Sequence, residues 1–322
     1  MIPTGLEILS LPIFLIGVIF LWKGSDILVD GTSKTAAHLG VSALVISVLF
    51  VGFGTSAPEF AISTGAAIQG NSEISLGNII GSCVANILLV LGIASIIRPI
   101  KIQKKIIKRE APILLGATFF LLIASYFGFL DKYHLFGGII FLLLFLLFIY
   151  FFYCCAKKER NNSKMIDTGK TSKNILFIIL GIIGVVAGAW LLIESAVCIA
   201  HFFKVPEFII AISMVAIGTS LPELVVSSMA SYKGKSDIAV GNVLGSNVFN
   251  ILMIVGVAAL FIPLNAIEFG TIIHIFILLI VTLILLPILY SGHIISKIEG
   301  IIMLFMYAIF IWYTFFGYTY LM

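Results

Sequence analysis

The sequence predicts an all-α polytopic membrane protein whose ten transmembrane helices form two inverted five-helix repeats. Three observations lead there. The 322-residue chain is 61% hydrophobic and 11% charged, with a mean hydropathy of +1.21, which excludes an ordinary soluble globular domain. Its apolar residues fall into ten runs of about 20 residues, the length that ~30 Å of hydrocarbon requires at ~1.5 Å per helical residue. A shift of 164 residues then superposes two polar motifs inside these runs on second copies of themselves, without a gap.

The first run, 8–30, contains Gly17 and Gly24 and ends at Asp30. It has no basic segment before it and no small-residue cleavage site after it, so it reads as a retained helix rather than a signal peptide. The second, 42–68, carries Gly54-Thr55-Ser56-Ala57-Pro58-Glu59, and the third, 74–97, carries Gly77-Asn78, Gly81-Ser82, Val84 and Asn86. The fourth and fifth, 110–128 and 134–155, are apolar stretches such as Phe141-Leu142-Leu143-Leu144-Phe145, with no chemistry to assign.

The sixth run, 174–200, places Gly181, Gly188 and Glu194 where the first has Gly17, Gly24 and Asp30. The seventh, 206–231, holds Gly218-Thr219-Ser220-Leu221-Pro222-Glu223, and the eighth, 237–262, holds Gly241-Asn242, Gly245-Ser246, Val248 and Asn250. The ninth and tenth, 270–290 and 299–320, are again apolar. Five spans is an odd number, so the second half enters the membrane from the opposite side and the repeats are inverted. The halves are 1–155, with its motif region at 42–92, and 174–322, with its motif region at 206–256; the polar segment 156–173 reads as a flexible linker.

Counted alternately across ten spans, all of the 19 Lys and Arg except Lys132 and Lys204 fall on one side. The positive-inside rule makes that side cytoplasmic, places the 156–173 loop there and puts both termini outside the cell membrane. The basic loops are thus topology signals, and no nucleic-acid partner is expected. Trp22, Trp190 and Trp312, with Tyr150, Tyr153, Tyr313 and Tyr318, read as interfacial anchors. The four cysteines and five histidines show no metal-ligand spacing.

The chemistry sits in the paired motifs. A carboxylate in hydrocarbon costs roughly 3 kcal/mol or more, which makes Glu59 and Glu223 functional residues by default. Pro58 has no N–H for the carbonyl four residues back, so the helix is expected to break near Gly54, and Pro222 does the same near Gly218. A broken span is tolerated only where its backbone lines a cavity, so the carbonyls from Gly52 to Thr55 and from Ala216 to Thr219 become candidate cation ligands. Thr55 and Glu59, and Thr219 and Glu223, are four apart and share a face wherever the backbone is helical. Ser82 with Asn86 and Ser246 with Asn250 repeat that spacing on the next span. All of these donors are oxygens, which suits hard cations such as Ca²⁺ and Na⁺ and not Zn²⁺ or copper. The glycines of 77–82 and 241–246 read as helix-packing devices.

Gly-Thr-Ser-x-Pro-Glu followed by Gly-Asn-x-x-Gly-Ser-x-x-x-Asn, present twice in register, resembles the α-repeats of the sodium/calcium exchanger family within the Ca²⁺:cation antiporter group. The resemblance implies Na⁺-driven Ca²⁺ antiport with Glu59 and Glu223 as shared ligands of both ions. Thr55, Thr219, Ser56, Ser220, Ser82, Ser246 and Asn86 match further ion-binding positions, and the carbonyls of Gly52 and Ala216 are implied as contributors. K⁺-dependent relatives carry Asp where this chain has Asn250, which argues against K⁺ co-transport and leaves two negative charges in the site. Roughly three Na⁺ per Ca²⁺ are implied, one net charge per cycle.

No resident cofactor is expected beyond the transported ions, the lipid bilayer is the surrounding partner, and the chain is expected to act as a monomer. It lacks the long regulatory loop of animal members. Glycine-bearing first spans, around Gly17 to Gly24 and Gly181 to Gly188, are the expected sliding elements. The rival readings are Ca²⁺/H⁺ exchange, whose family carries a Gly-Asn-x-x-Glu motif, and a cation channel with broken half-helices, which leaves the buried carboxylates unexplained.

Overall fold

The computed structural model describes residues 7–162, 171–203 and 218–317 and is almost entirely helical. The helices are α1 (Glu7–Leu39), α2 (Ala43–Thr55), α3 (Ala57–Ile68), α4 (Ser72–Ile97), α5 (Ala111–Tyr126), α6 (His134–Asn162), α7 (Thr171–Phe202), α8 (Leu221–Tyr232), α9 (Ser236–Phe261), α10 (Phe269–Tyr290) and α11 (Lys297–Trp312). Among the described residues seven helices are long and apolar enough to cross a membrane, and α2 with α3 forms an eighth span bent by 48°. The fourth expected span is α5 with a π-helical turn, Ile106–Glu110, in front of it. Of the seventh, the described part is Gly218 to Tyr232.

Three sequence expectations are corrected. First, α1 runs on to Leu39, so Lys23 and Lys34 lie within a helix rather than in a cytoplasmic loop. Nothing between Pro12 and Leu39 breaks the helix, and it stops at Gly40, whose φ of 67° is the left-handed conformation that ends helices. Second, the spans break at Ser56 (φ −81°, ψ 11°) and Ser220 (φ −88°, ψ 8°), two residues past Gly54 and Gly218. Proline is comfortable in the first turn of a helix, where its missing N–H has no intrahelical partner to lose, so the break settles just before it. Third, 156–162 is no flexible linker but the last turns of α6. Glu159 there accepts hydrogen bonds from the Ser42 amide at 2.8 Å and the Lys105 ammonium at 2.7 Å, tying the end of α6 to the start of α2. The rest of that expected linker up to the start of α7, 163–170, lies outside the described residues.

The two motif-bearing helices α4 and α9 form the centre, with 78% and 83% of their apolar windows buried against 22–39% for the other long helices. Each converts to a π-helical turn at its motif asparagine, Asn86–Val90 and Asn250–Ile254. The two turns are 164 residues apart, and such single-turn π segments concentrate at functional sites.

Outside this core, α1 and α7 lie backbone to backbone. A Cβ at Gly24 would fall 2.7 Å from the Val185 amide nitrogen, and one at Gly188 would fall 2.6 Å from that of Leu21. Membrane helices have no hydrophobic drive to associate and rely on such close approach. The pairings Gly17 with Gly188 and Gly24 with Gly181 are exchanged by the 164-residue register. On the side with most basic residues, β1 (Ile100–Lys101) and β2 (Ile294–Ile295) pair antiparallel, joining the connections that follow α4 and α10.

Candidate cation-binding site

Breaking the second span at Ser56 opens a new helix whose third residue is Glu59, and the break at Ser220 does the same for Glu223. Both carboxylates therefore sit in a first helical turn, where free amide N–H groups favour negative charge. Both are completely buried and interact electrostatically across the boundary between the halves. The break also corrects an expectation. Thr55 ends α2 while Glu59 belongs to α3, so their four-residue spacing is not a helical i, i+4 pair.

Side chains from the other half close around each break. Ser56 donates from Oγ to Glu223 Oε1 at 2.9 Å, and Ser246 Oγ lies 3.3 Å from the same oxygen. Ser246 is nearer to the Gly52 carbonyl, at 2.9 Å. Thr55 donates to Asn242 Oδ1 at 3.0 Å and stands 3.4 Å from Ser246 Oγ. The equivalent pair in the other half, Ser82 and Thr219, lies 3.2 Å apart. The Gly52 carbonyl also accepts from the Ser56 amide, so it is engaged rather than freed. A Cβ at residue 52 would come within 2.7 Å of the Ser246 amide nitrogen, and this contact brings α2 onto α9. Ser220 is buried at the second break, and Ala216 lies outside the described residues.

What remains open is a set of buried oxygens. Both Glu59 oxygens, Glu223 Oε2, Asn86 Oδ1 and Asn250 Oδ1 have no hydrogen-bond partner, and neither does Asn250 Nδ2. Buried polar atoms are nearly always paired, so a group of orphaned acceptors in one buried layer calls for a missing positive partner. Among the described residues no three His, Cys, Asp or Glu side chains converge as a metal-ligand group. The open set is two carboxylates and two amides, a donor set for hard cations. A cavity of about 650 Å³ is lined by Pro58, Asn78 and Thr219 together with Glu73 and Glu194.

The sequence reading passed over the residues that hold this layer in place. Asn78 donates to Ser63 Oγ at 2.9 Å and to the Glu59 main-chain carbonyl at 3.5 Å. Asn242 repeats both bonds, to Ser227 at 3.0 Å and to the Glu223 carbonyl at 3.4 Å. The signal was present, since Ser63 and Ser227 are also 164 residues apart. Asn247, which accepts from Asn86 Nδ2 at 3.0 Å, gave no such signal because its counterpart is Cys83.

Comparison with known proteins shows the family. Residues 9–154 and 173–316 match the sodium/calcium exchanger protein family. The sodium/calcium exchanger MaX1 of Methanosarcina acetivorans is 34% identical over 93% of this chain and 96% of its own. The inner membrane protein YrbG of Escherichia coli is 28% identical over 80% of this chain and 81% of its own. Among solved structures, the sodium-calcium exchanger NCX_Mj superposes with a TM-score of 0.81 at 33% identity, covering 94% of this chain and 97% of that one. With the family matched over most of its length and the fold shared at 33% identity, the chain belongs to the sodium/calcium exchanger protein family.

Proposed function

We propose that this protein is a secondary antiporter that exchanges Na⁺ for Ca²⁺ at the buried Glu59–Glu223 layer. The observation that carries the reading is the group of orphaned oxygens, carboxylates at two matched helix breaks and amides at two matched π-helical turns. Two carboxylates in a nearly dry layer are costly when empty, so the carrier changes access only when loaded. Competition between ions for the same oxygens then couples the two fluxes. The ligands are Glu59, Glu223, Thr55, Thr219, Ser56, Ser220, Ser82, Ser246, Asn86 and Asn250, with the main-chain carbonyls of Gly52 and Ala216 as further contributors.

The architecture we infer is ten spans in two inverted repeats, with both termini outside and the 156–173 segment in the cytoplasm. With that orientation the cavity at Glu73 and Glu194 faces outward and serves as the entry route. The α1–α7 pair slides against the rest of the molecule to expose the site alternately. Exchange is electrogenic, with about three Na⁺ per Ca²⁺ and one net charge moved. It is independent of K⁺, because Asn250 adds no third carboxylate, and a single chain suffices.

Radiolabelled Ca²⁺ uptake into proteoliposomes under an outward Na⁺ gradient tests the reading. The wild type accumulates Ca²⁺, while Glu59→Gln and Glu223→Gln do not. Normal uptake by both variants removes the site. Uptake driven by a pH gradient without Na⁺ makes the protein a Ca²⁺/H⁺ exchanger instead.

A further inference from the structure

The two halves are alike in register but differ where they meet. Asn86 and Asn250 are equivalent, both buried and both at the first position of a π-helical turn. Their side chains are nevertheless held differently. Asn86 Nδ2 donates to Asn247 Oδ1 at 3.0 Å, leaving only its Oδ1 open, whereas Asn250 has both amide atoms unpartnered.

The cause is one residue. Asn247 and Cys83 are equivalent positions that face each other across the boundary: Asn247 Nδ2 donates to the Cys83 carbonyl at 3.1 Å, and the Cys83 thiol points back at the Asn247 carbonyl at 3.9 Å. A backbone carbonyl only accepts, so Asn247 must present its nitrogen there and its oxygen to Asn86. Asn86 must then present its own nitrogen to Asn247, and its oxygen is turned the other way. In the opposite half the residue in Asn247's place is Cys83. Its thiol lies against the Asn250 amide, but a thiol is a weak hydrogen-bonding partner and neither amide atom of Asn250 gains a bond of ordinary geometry.

We propose that Asn247 is a positioning residue that locks the Asn86 carbonyl oxygen as a permanent cation ligand, while Asn250 keeps an amide free to turn. The loaded site uses the Asn250 oxygen. The empty site turns the amide over, so that its N–H groups face the carboxylates and cover part of the missing cation charge. The two ends of the cation layer are thus unequal: one is preorganised and the other adapts. This rests on the reading of the layer as the transport site.

The test uses the full-length protein in detergent and in proteoliposomes. Ca²⁺-induced thermal stabilisation reports binding and does not require transport. Asn247→Ala releases the Asn86 amide, and the apparent Ca²⁺ affinity falls by about three- to tenfold, the value of one orienting hydrogen bond. The maximal rate of Na⁺-driven uptake changes less than the half-saturating Ca²⁺ concentration. In the wild-type background, Asn86→Ala weakens binding more than Asn250→Ala.

The exchange Cys83→Asn with Asn247→Cys moves the clamp to Asn250, and in that background the ranking of the two alanine variants reverses. An unchanged Ca²⁺ titration in Asn247→Ala, or an unreversed ranking in the exchanged protein, overturns the proposal. If the exchanged protein does not fold, the Asn247→Ala titration decides alone. Should the wild type bind Ca²⁺ but show no coupled uptake, the antiport reading fails while the clamp is still decided by the same titrations.

Discussion

Glu223 and Glu59 occupy matched positions yet are supported unequally: the first takes hydroxyls from Ser56 and Ser246, and the second has both oxygens open. The packing that brings Ser246 to this place depends on Gly52, where a side chain would strike the Ser246 amide nitrogen and the Asn242 carbonyl, at 2.7 and 2.9 Å. Both obstacles are backbone, which cannot rotate away. Gly52→Ala is therefore expected to cost about 1–3 kcal/mol in stability and to weaken Ca²⁺ binding, read from thermal melting with and without Ca²⁺. Most of this layer was legible from the sequence, because a carboxylate after a proline in an apolar run has no bland explanation. Asn78 and Asn242 were visible in the motif but not assigned, since their bonds run to main-chain carbonyls that spacing alone does not reveal. Asn247 was not legible, because symmetry was the guide and Asn247 departs from it.

At the scale of elements, the proposed sliding pair α1 and α7 meets at Gly17, Gly24, Gly181 and Gly188, where the backbones approach closely. Gly24→Leu inserts a side chain where Val185 and Gly184 approach within 3 Å of the site of a Cβ. Uptake should fall sharply while Ca²⁺-induced stabilisation of the purified protein is retained, since no ligand is touched. Among the described residues, a charged tie crosses from this pair to the core at one end. Lys233, in the turn between α8 and α9, bonds the carboxylates of Asp26 and Asp30 at 2.6 and 2.7 Å. The equivalent positions in the other half are Gln69, Trp190 and Glu194, which include no cation.

Partial burial opposes the Lys233 charge, but the bonds to Asp26 and Asp30 outweigh it and hold the ammonium above its ordinary range. A raised lysine pKa means the tie is present at and below neutral pH and is lost only as pH climbs past that range. Half-exposed ion pairs contribute about 1 kcal/mol at most. Lys233→Ala is therefore expected to shift the access equilibrium by up to about fivefold, seen as faster hydrogen exchange in the α8–α9 turn and the C-terminal half of α1. Equal exchange in variant and wild type would remove the tie. The positions of helices were legible from hydropathy, whereas their ends were not: α1 and α6 outrun their apolar cores because nothing in Lys23–Leu39 or 156–162 stops a helix.

Across the whole molecule, the proposed mechanism treats the core around α4 and α9 as one body and the α1–α7 pair as the other. The proposed inverted topology predicts sidedness that labelling can read. A cysteine introduced at Ser236 should react with a membrane-impermeant maleimide only from the cytoplasmic face, and one at Asp131 only from outside. The proposed stoichiometry makes voltage a driving force of about 2.3 kcal/mol per 100 mV for one net charge. With equal Na⁺ on both sides, an inside-positive potential set by K⁺ and valinomycin in wild-type proteoliposomes should drive Ca²⁺ uptake against its gradient whichever way the protein is inserted, because three Na⁺ leaving for one Ca²⁺ entering carry one net positive charge out. Ca²⁺ movement indifferent to that potential would exclude the three-to-one ratio. The helical membrane architecture was legible at this scale because the apolar runs are long enough to cross a bilayer.

The facing of Asn247 and Cys83 has a consequence for ancestry. A pair of identical half-length chains related by a two-fold axis must place the same residue on both sides of it, two amides or two thiols. Neither arrangement yields one held asparagine and one loose one. Different residues at the two places require two different half-sequences, so no homodimer of either half, however well folded, can reproduce this protein's site.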